Sequence, residues 1–147
     1  MRNIFQRLFS RRQESEEGDG KTILIIEDNE VDMRLIERSF IKTKYRILKA
    51  TEGEAGIRMA QKHVPNLIIL DCLLPKIRGE DVCRKLKENE RTKNIPIIIL
   101  TVLETNILDC YEAGATKYLN KPVAPKTLRA EARDALENPE PLMYDEE

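Results

Sequence analysis

No apolar run in this 147-residue chain approaches the ~20 residues needed to cross a membrane. The N-terminus also lacks the uninterrupted apolar region of a signal peptide. Neither sign of charge is in excess: 25 Lys and Arg stand against 26 Asp and Glu, so the basic footprint of a nucleic-acid binder is missing and no direct nucleic-acid contact is expected. Cysteine is scarce and odd in number. Cys72, Cys83 and Cys110 fit neither a zinc site nor a CxxC pair, and reduced thiols suit the cytoplasm. They read as ordinary buried or half-buried residues, with Cys72 placed beside Asp71 to report oxidation. The only histidine, His63, falls at the end of a predicted helix and reads as a helix-end residue rather than a phosphodonor or metal ligand.

What is present is a regular alternation. "TILII" (22–26), "LIIL" (67–70) and "IPIIIL" (95–100) are short apolar runs of the kind buried on both faces of a parallel sheet. "YRILKA" (45–50) alternates more weakly and suits an edge, and "TKYLN" (116–120) completes five strands. Helical spacing links them. Val31, Leu35, Ile36, Phe40 and Ile41 follow the N-cap candidate Asn29. Ala55, Ile57, Met59 and Ala60 fall in a helix over 52–63, and Val82, Cys83 and Leu86 in one from Gly79 to about Asn89. A short helix over 105–113 ends at Gly114, and Leu128, Ala132 and Leu136 mark a last helix over 125–137. The pattern predicts an α/β fold, a doubly wound five-stranded parallel sheet with helices on both faces. The expected boundaries are an N-terminal basic amphipathic segment and acidic linker (1–20), a domain (21–137) and an acidic tail (138–147).

In such sheets ligands bind beyond the carboxyl ends of the strands. The residues there are Glu27 and Asp28, Asp71, Thr101 and Lys121. Crowded carboxylates repel unless a cation intervenes, and oxygen donors suit a hard divalent ion, Mg2+ first. Lys121 and the Thr101 hydroxyl would suit an incoming tetrahedral anion. The chemistry implied is phosphoryl transfer, with the Asp71 carboxylate as nucleophile.

The segments "ILIIEDNE", "PNLIILDCLLPKIRGED", "IPIIILT" and "EAGATKYLNKP" closely resemble the successive signatures of the receiver domain of bacterial two-component response regulators, over residues 21–137. The resemblance implies a flavodoxin-like sheet in the order 2-1-3-4-5. It also implies a switch in which Asp71 takes a phosphoryl group from a sensor histidine kinase or histidine phosphotransfer protein. Mg2+, with Mn2+ as a substitute, would be held by Asp28, Asp71 and the backbone carbonyl of Leu73, with Glu27 indirect or alternative. Thr101 and Lys121 would bind the phosphoryl oxygens, and the Lys121–Pro122 bond would be cis. Thr101 and Tyr118 would act as switch residues, changing a face made by the fourth helix, fifth strand and fifth helix that a downstream protein reads.

This sequence departs from the family pattern in places. Glu27 stands where Asp is common, and Val102 is bulkier than the usual Ala or Gly. Leu73 and Leu103, each two residues beyond a site residue, offer a hydrolytic water no partner, so a long-lived phosphoryl group is expected. Near the N-terminus, Ile4, Phe5, Leu8 and Phe9 form a helical stripe with Arg2, Arg7, Arg11 and Arg12 around it, which reads either as a disordered extension or as a helix that docks residues 1–12 to a protein, to a second copy or to a membrane. The resemblance implies a phosphoacceptor rather than an enzyme, standing alone or as a receiver cut from a longer regulator. An aspartyl-nucleophile phosphatase or phosphotransferase is the alternative, but Leu73 replaces the second Asp it would need. A flavodoxin-like cofactor binder would need a Ser/Thr/Gly-rich phosphate loop after the first strand, and none is there.

Overall fold

The structure is a computed structural model, described here for residues 4–5, 16–102 and 107–141. Leu103, the N-terminal stripe apart from Ile4 and Phe5, and the tail from residue 142 lie outside the described residues. Ile4 and Phe5 are helical and exposed.

Among the described residues from Thr22 onward, five strands and five helices alternate: β1 (Thr22–Ile26), α1 (Glu30–Ser39), β2 (Arg46–Ala50), α2 (Gly53–His63), β3 (Leu67–Leu70), α3 (Gly79–Glu88), β4 (Ile97–Thr101), α4 (Ile107–Glu112), β5 (Lys117–Asn120) and α5 (Pro125–Glu137). The strands are all parallel, in the order β2-β1-β3-β4-β5. This is the flavodoxin-like order. β4 starts at Ile97 rather than Ile95 because Pro96 has no N–H to give the ladder, although its carbonyl accepts from Ile68 at 3.0 Å.

The unbroken apolar runs of β1, β3 and β4 are divided between two cores by the two-residue period of a strand. Leu24, Ile26, Ile68, Leu70, Ile97 and Ile99 face Ile57, Ala60, Val82, Leu86 and Cys110 of α2, α3 and α4. Ile23, Ile25, Leu67, Ile69, Ile98 and Leu100 face Met33, Ile36, Leu128, Ala132 and Ala135 of α1 and α5. Each such Ile or Leu contributes about 1.5–3 kcal/mol by leaving water, so the central strands are a rigid support for whatever follows their ends.

Two features go beyond the sequence pattern. In α1 the inward residues are Met33, Ile36 and Phe40, whereas Val31, Leu35 and Ile41 are exposed. Met33 and Ile36, three apart, set the buried arc, and Val31 and Leu35, four apart, lie on its flank. Residues 16–20, read as linker, are seated on the domain. Lys44 N–H donates to the Glu17 carbonyl at 2.7 Å, Gly18 lies under the Tyr45 ring where any Cβ would collide, and the Glu17 carboxylate meets Arg133 of α5 at 3.4 Å.

Candidate functional site

The sheet ladder continues one step beyond its strands. Glu27 N–H donates to Ala50 O (3.0 Å), Asp71 N–H to Ile26 O (3.1 Å) and Lys121 N–H to Thr101 O (2.9 Å). Three site residues are therefore fixed by backbone hydrogen bonds to neighbouring strands, and the parallel register aligns them along one edge. Thr101, the last residue of β4, is fully buried opposite Asn120.

Between β1 and α1 the chain turns on Asn29. Its side chain accepts from Asp32 N–H (2.9 Å) as the helix N-cap, and its own N–H donates to Glu27 Oε1 (3.1 Å). This holds Glu27 inward and points Asp32, in the first turn of α1, at the same cation. Lys121 Nζ lies 2.6 Å from Glu27 Oε2, 3.0 Å from Asp32 Oδ2 and 3.4 Å from Asp71 Oδ2. Asp32 is the site residue that the sequence reading missed. The available signal was its place three residues after the cap, on the side of α1 that leads back to the sheet edge.

Asp71 is 5% exposed, and its Oδ1 accepts from Leu73 N–H at 3.2 Å. The loop after it must pass close to the start of α3: a Cβ on Gly79 would collide with the Asp71 carbonyl oxygen and stand 2.6 Å from Cys72 Cα. Glycine is thus required there by space alone.

The charges are not balanced. Burial, against the Lys121 hydrogen bond and with help from the Asp71 charge, pushes the Glu27 carboxyl up from 4.5 to about 7. Burial acts to lower the Lys121 pKa, but its hydrogen bonds with Glu27 and Asp32 prevail and carry it up to about 12. One ammonium does not satisfy the cluster. Glu27, Asp28 and Asp71 bring carboxylate oxygens within 4.8 Å of one another, two buried and one exposed. Such an oxygen-donor set with an open side fits a hard divalent cation that keeps part of its water shell.

Leu73 is 45% exposed and its backbone adjoins Asp71. Val102 is exposed beyond Thr101, and the Lys121–Pro122 bond is cis. Tyr118, opposite Ile99, is half-buried against the core on the α3 and α4 side. His63 ends α2 at the other edge of the sheet, where Asn66 N–H donates to the Thr22 carbonyl. It is not part of the site. Beside Lys121 and Asp32 a cavity of about 470 Å³ opens between α1 and the start of α5, walled by Leu35, Ile36, Val123, Pro125 and Leu128.

Residues 23–133 match the family described as the response regulator receiver domain. A histidine kinase from Formosa agariphila, Histidine kinase P4, is 36% identical over 124 residues, which is 83% of this chain and 9% of that protein. Response regulator PleD from Caulobacter vibrioides is 34% identical over 113 residues, 76% of this chain and 25% of PleD. The chain thus spans a quarter or less of these two curated relatives. Among solved structures, a putative response regulator from Chloroflexus aurantiacus superposes with a TM-score of 0.76 at 30% identity, covering 80% of this chain and 98% of that one. The receiver domain of sensor histidine kinase PA1611 from Pseudomonas aeruginosa, which carries a magnesium ion in its active site cleft, gives 0.70 at 32% identity and covers 81% and 96%. With the sheet order and these likenesses in agreement, the chain belongs to the response regulator receiver domain family.

Proposed function

We propose that Asp71 is the phosphoacceptor of a two-component signalling switch, receiving its phosphoryl group from a phosphohistidine on a sensor kinase or histidine phosphotransfer protein. The observation that carries this reading is the convergence of Lys121 on Glu27, Asp32 and Asp71 at the ends of β1 and β3. An Asp71 oxygen attacks phosphorus as the phosphorus–nitrogen bond to the imidazole breaks, with the bonding pair leaving on the ring nitrogen. The Lys121 ammonium and the Thr101 hydroxyl bind the phosphoryl oxygens as donors. Asp28, Asp71 and the Leu73 carbonyl would hold Mg2+ or Mn2+, with Glu27 acting indirectly. The ion supplies positive charge against the phosphoryl group and the carboxylates.

The protein is read as a phosphoacceptor rather than an enzyme. An aspartyl phosphatase would need an acid two residues beyond Asp71, and Leu73 cannot serve. The donor acts from the cytoplasm, and the proposal places this receiver there. The apolar cavity beside Lys121 is the natural seat for a donor helix. Phosphorylation would turn the Asp71 carboxylate, of charge −1, into an acyl phosphate of about −2, and this larger, more negative group would draw Thr101 and reposition Tyr118, altering the face formed by α4, β5 and α5 that a downstream protein reads. The chain works alone or as the receiver of a longer regulator.

The test is incubation with acetyl phosphate or a phosphorylated histidine phosphotransfer protein and Mg2+, followed by intact mass. The wild type should gain one phosphoryl group and Asp71→Asn none. Equal labelling of the two would sink the assignment.

A further inference from the structure

We infer that Cys72 and Cys110 are a redox-active dithiol that closes into an intramolecular disulfide beside the phosphoacceptor. Their sulfurs lie 3.5 Å apart although the residues are 38 apart in sequence, one directly after Asp71 and the other in α4. Cys83 is the internal contrast. Its thiol is turned to the Ala113 carbonyl at 3.5 Å, and burial pushes its pKa up to about 12.

Glu80 is ion-paired with Arg78 at the start of α3. A carboxylate oxygen of Glu80 lies within 4.8 Å of both sulfurs. Cys72 itself has little freedom: its carbonyl accepts from Gly79 N–H at 3.0 Å, and no Cβ fits between them. A disulfide needs about 2.05 Å between sulfurs, so the remaining ~1.5 Å must be closed by side-chain rotation and by α4. Both thiols are buried. The oxidant must therefore be small, and it enters when the short helix α4 opens locally.

A hydroperoxide satisfies this. The Cys72 thiolate attacks one oxygen of hydrogen peroxide, breaking the O–O bond and leaving a sulfenic acid and hydroxide, which takes up the Cys72 proton to become water. The Cys110 thiolate then attacks the Cys72 sulfur, and the sulfenic oxygen departs as a second water after receiving the Cys110 proton. Two thiols lose two electrons, and one peroxide becomes two waters. The product ties α4 to the loop that follows β3.

The full chain should be treated with hydrogen peroxide, alkylated with iodoacetamide, digested without reduction and mapped by mass spectrometry. A Cys72–Cys110 linked peptide with Cys83 still alkylatable is expected, unchanged in Cys83→Ser and absent in Cys110→Ser. Amide exchange in α4 should slow in the oxidised form. The inference is overturned if the wild type yields no linked peptide under conditions that oxidise the urea-unfolded chain, if Cys83 pairs as readily, or if the bond forms between chains. The wild-type map decides the matter even where a variant folds poorly. Because it reads thiols, failure of phosphoryl transfer to Asp71 leaves it intact.

Discussion

Replacing Lys121 by Met removes one positive charge and keeps most of the apolar stem. Glu27 and Asp71, both buried, lose their counter-charge. Asp32, with 35% of its side chain exposed, is largely compensated by water. An unpaired buried carboxylate costs about 3–5 kcal/mol, but Glu27 can avoid that cost by binding a proton. Its folded-state pKa, raised to about 7 chiefly by burial, lies above the ordinary 4.5. Between those values the folded state binds more protons than the unfolded one, so the wild type loses stability as pH rises through the window, by on the order of 3 kcal/mol at most. Without Lys121 the Glu27 value climbs further and the window extends upward. The variant should therefore be less stable than wild type by about 3 kcal/mol near pH 8 but only about 1 kcal/mol near pH 5. Urea unfolding with a chelator at both pH values measures this, and Mg2+ should recover more stability at the higher pH. Equal losses at the two pH values would refute the view that Glu27 and Lys121 form one electrostatic unit.

Gly79→Ala should lower stability by about 2–3 kcal/mol in urea unfolding, because its methyl group meets the Asp71 carbonyl and Cys72 Cα, which are backbone and cannot swing aside. Polar residues at both Leu73 and Leu103 should shorten the lifetime of the phosphorylated protein about tenfold, the effect of one added hydrogen bond in the hydrolytic transition state. Loss of radiolabel over time reads this directly, and an unchanged lifetime would show that water approaches by another route.

The sheet could be read from the sequence because β1, β3 and β4 are unbroken apolar runs, and the site because Glu27, Asp71, Thr101 and Lys121 close successive strands. Both depend on local pattern. Contacts between elements left weaker traces. Asp32 in a first helical turn is an ordinary place for an acid near a helix dipole, and nothing local reveals that Lys121, 89 residues away, will meet it. The Cys72–Cys110 contact is hidden for the same reason. In α1, apolar residues occupy more of the circumference than the core uses, and periodicity alone does not say which are surplus.

The surplus itself bears on function. Val31 and Leu35 are 63% and 56% exposed, yet Leu35 walls the cavity that also reaches Lys121 and Asp32. An apolar side chain kept out of the core and beside the reacting groups suits a partner that must come close to Asp71. A small phosphodonor needs no such surface. Leu35→Asp should therefore slow transfer from a phosphohistidine protein about tenfold, the loss of one modest apolar contact of ~1.4 kcal/mol. Labelling by acetyl phosphate should stay at the wild-type rate, and the unfolding midpoint should change little because Leu35 contributes little to the core. If both donors slow equally, Leu35 acts by shaping the site through Asp32 rather than by seating the donor.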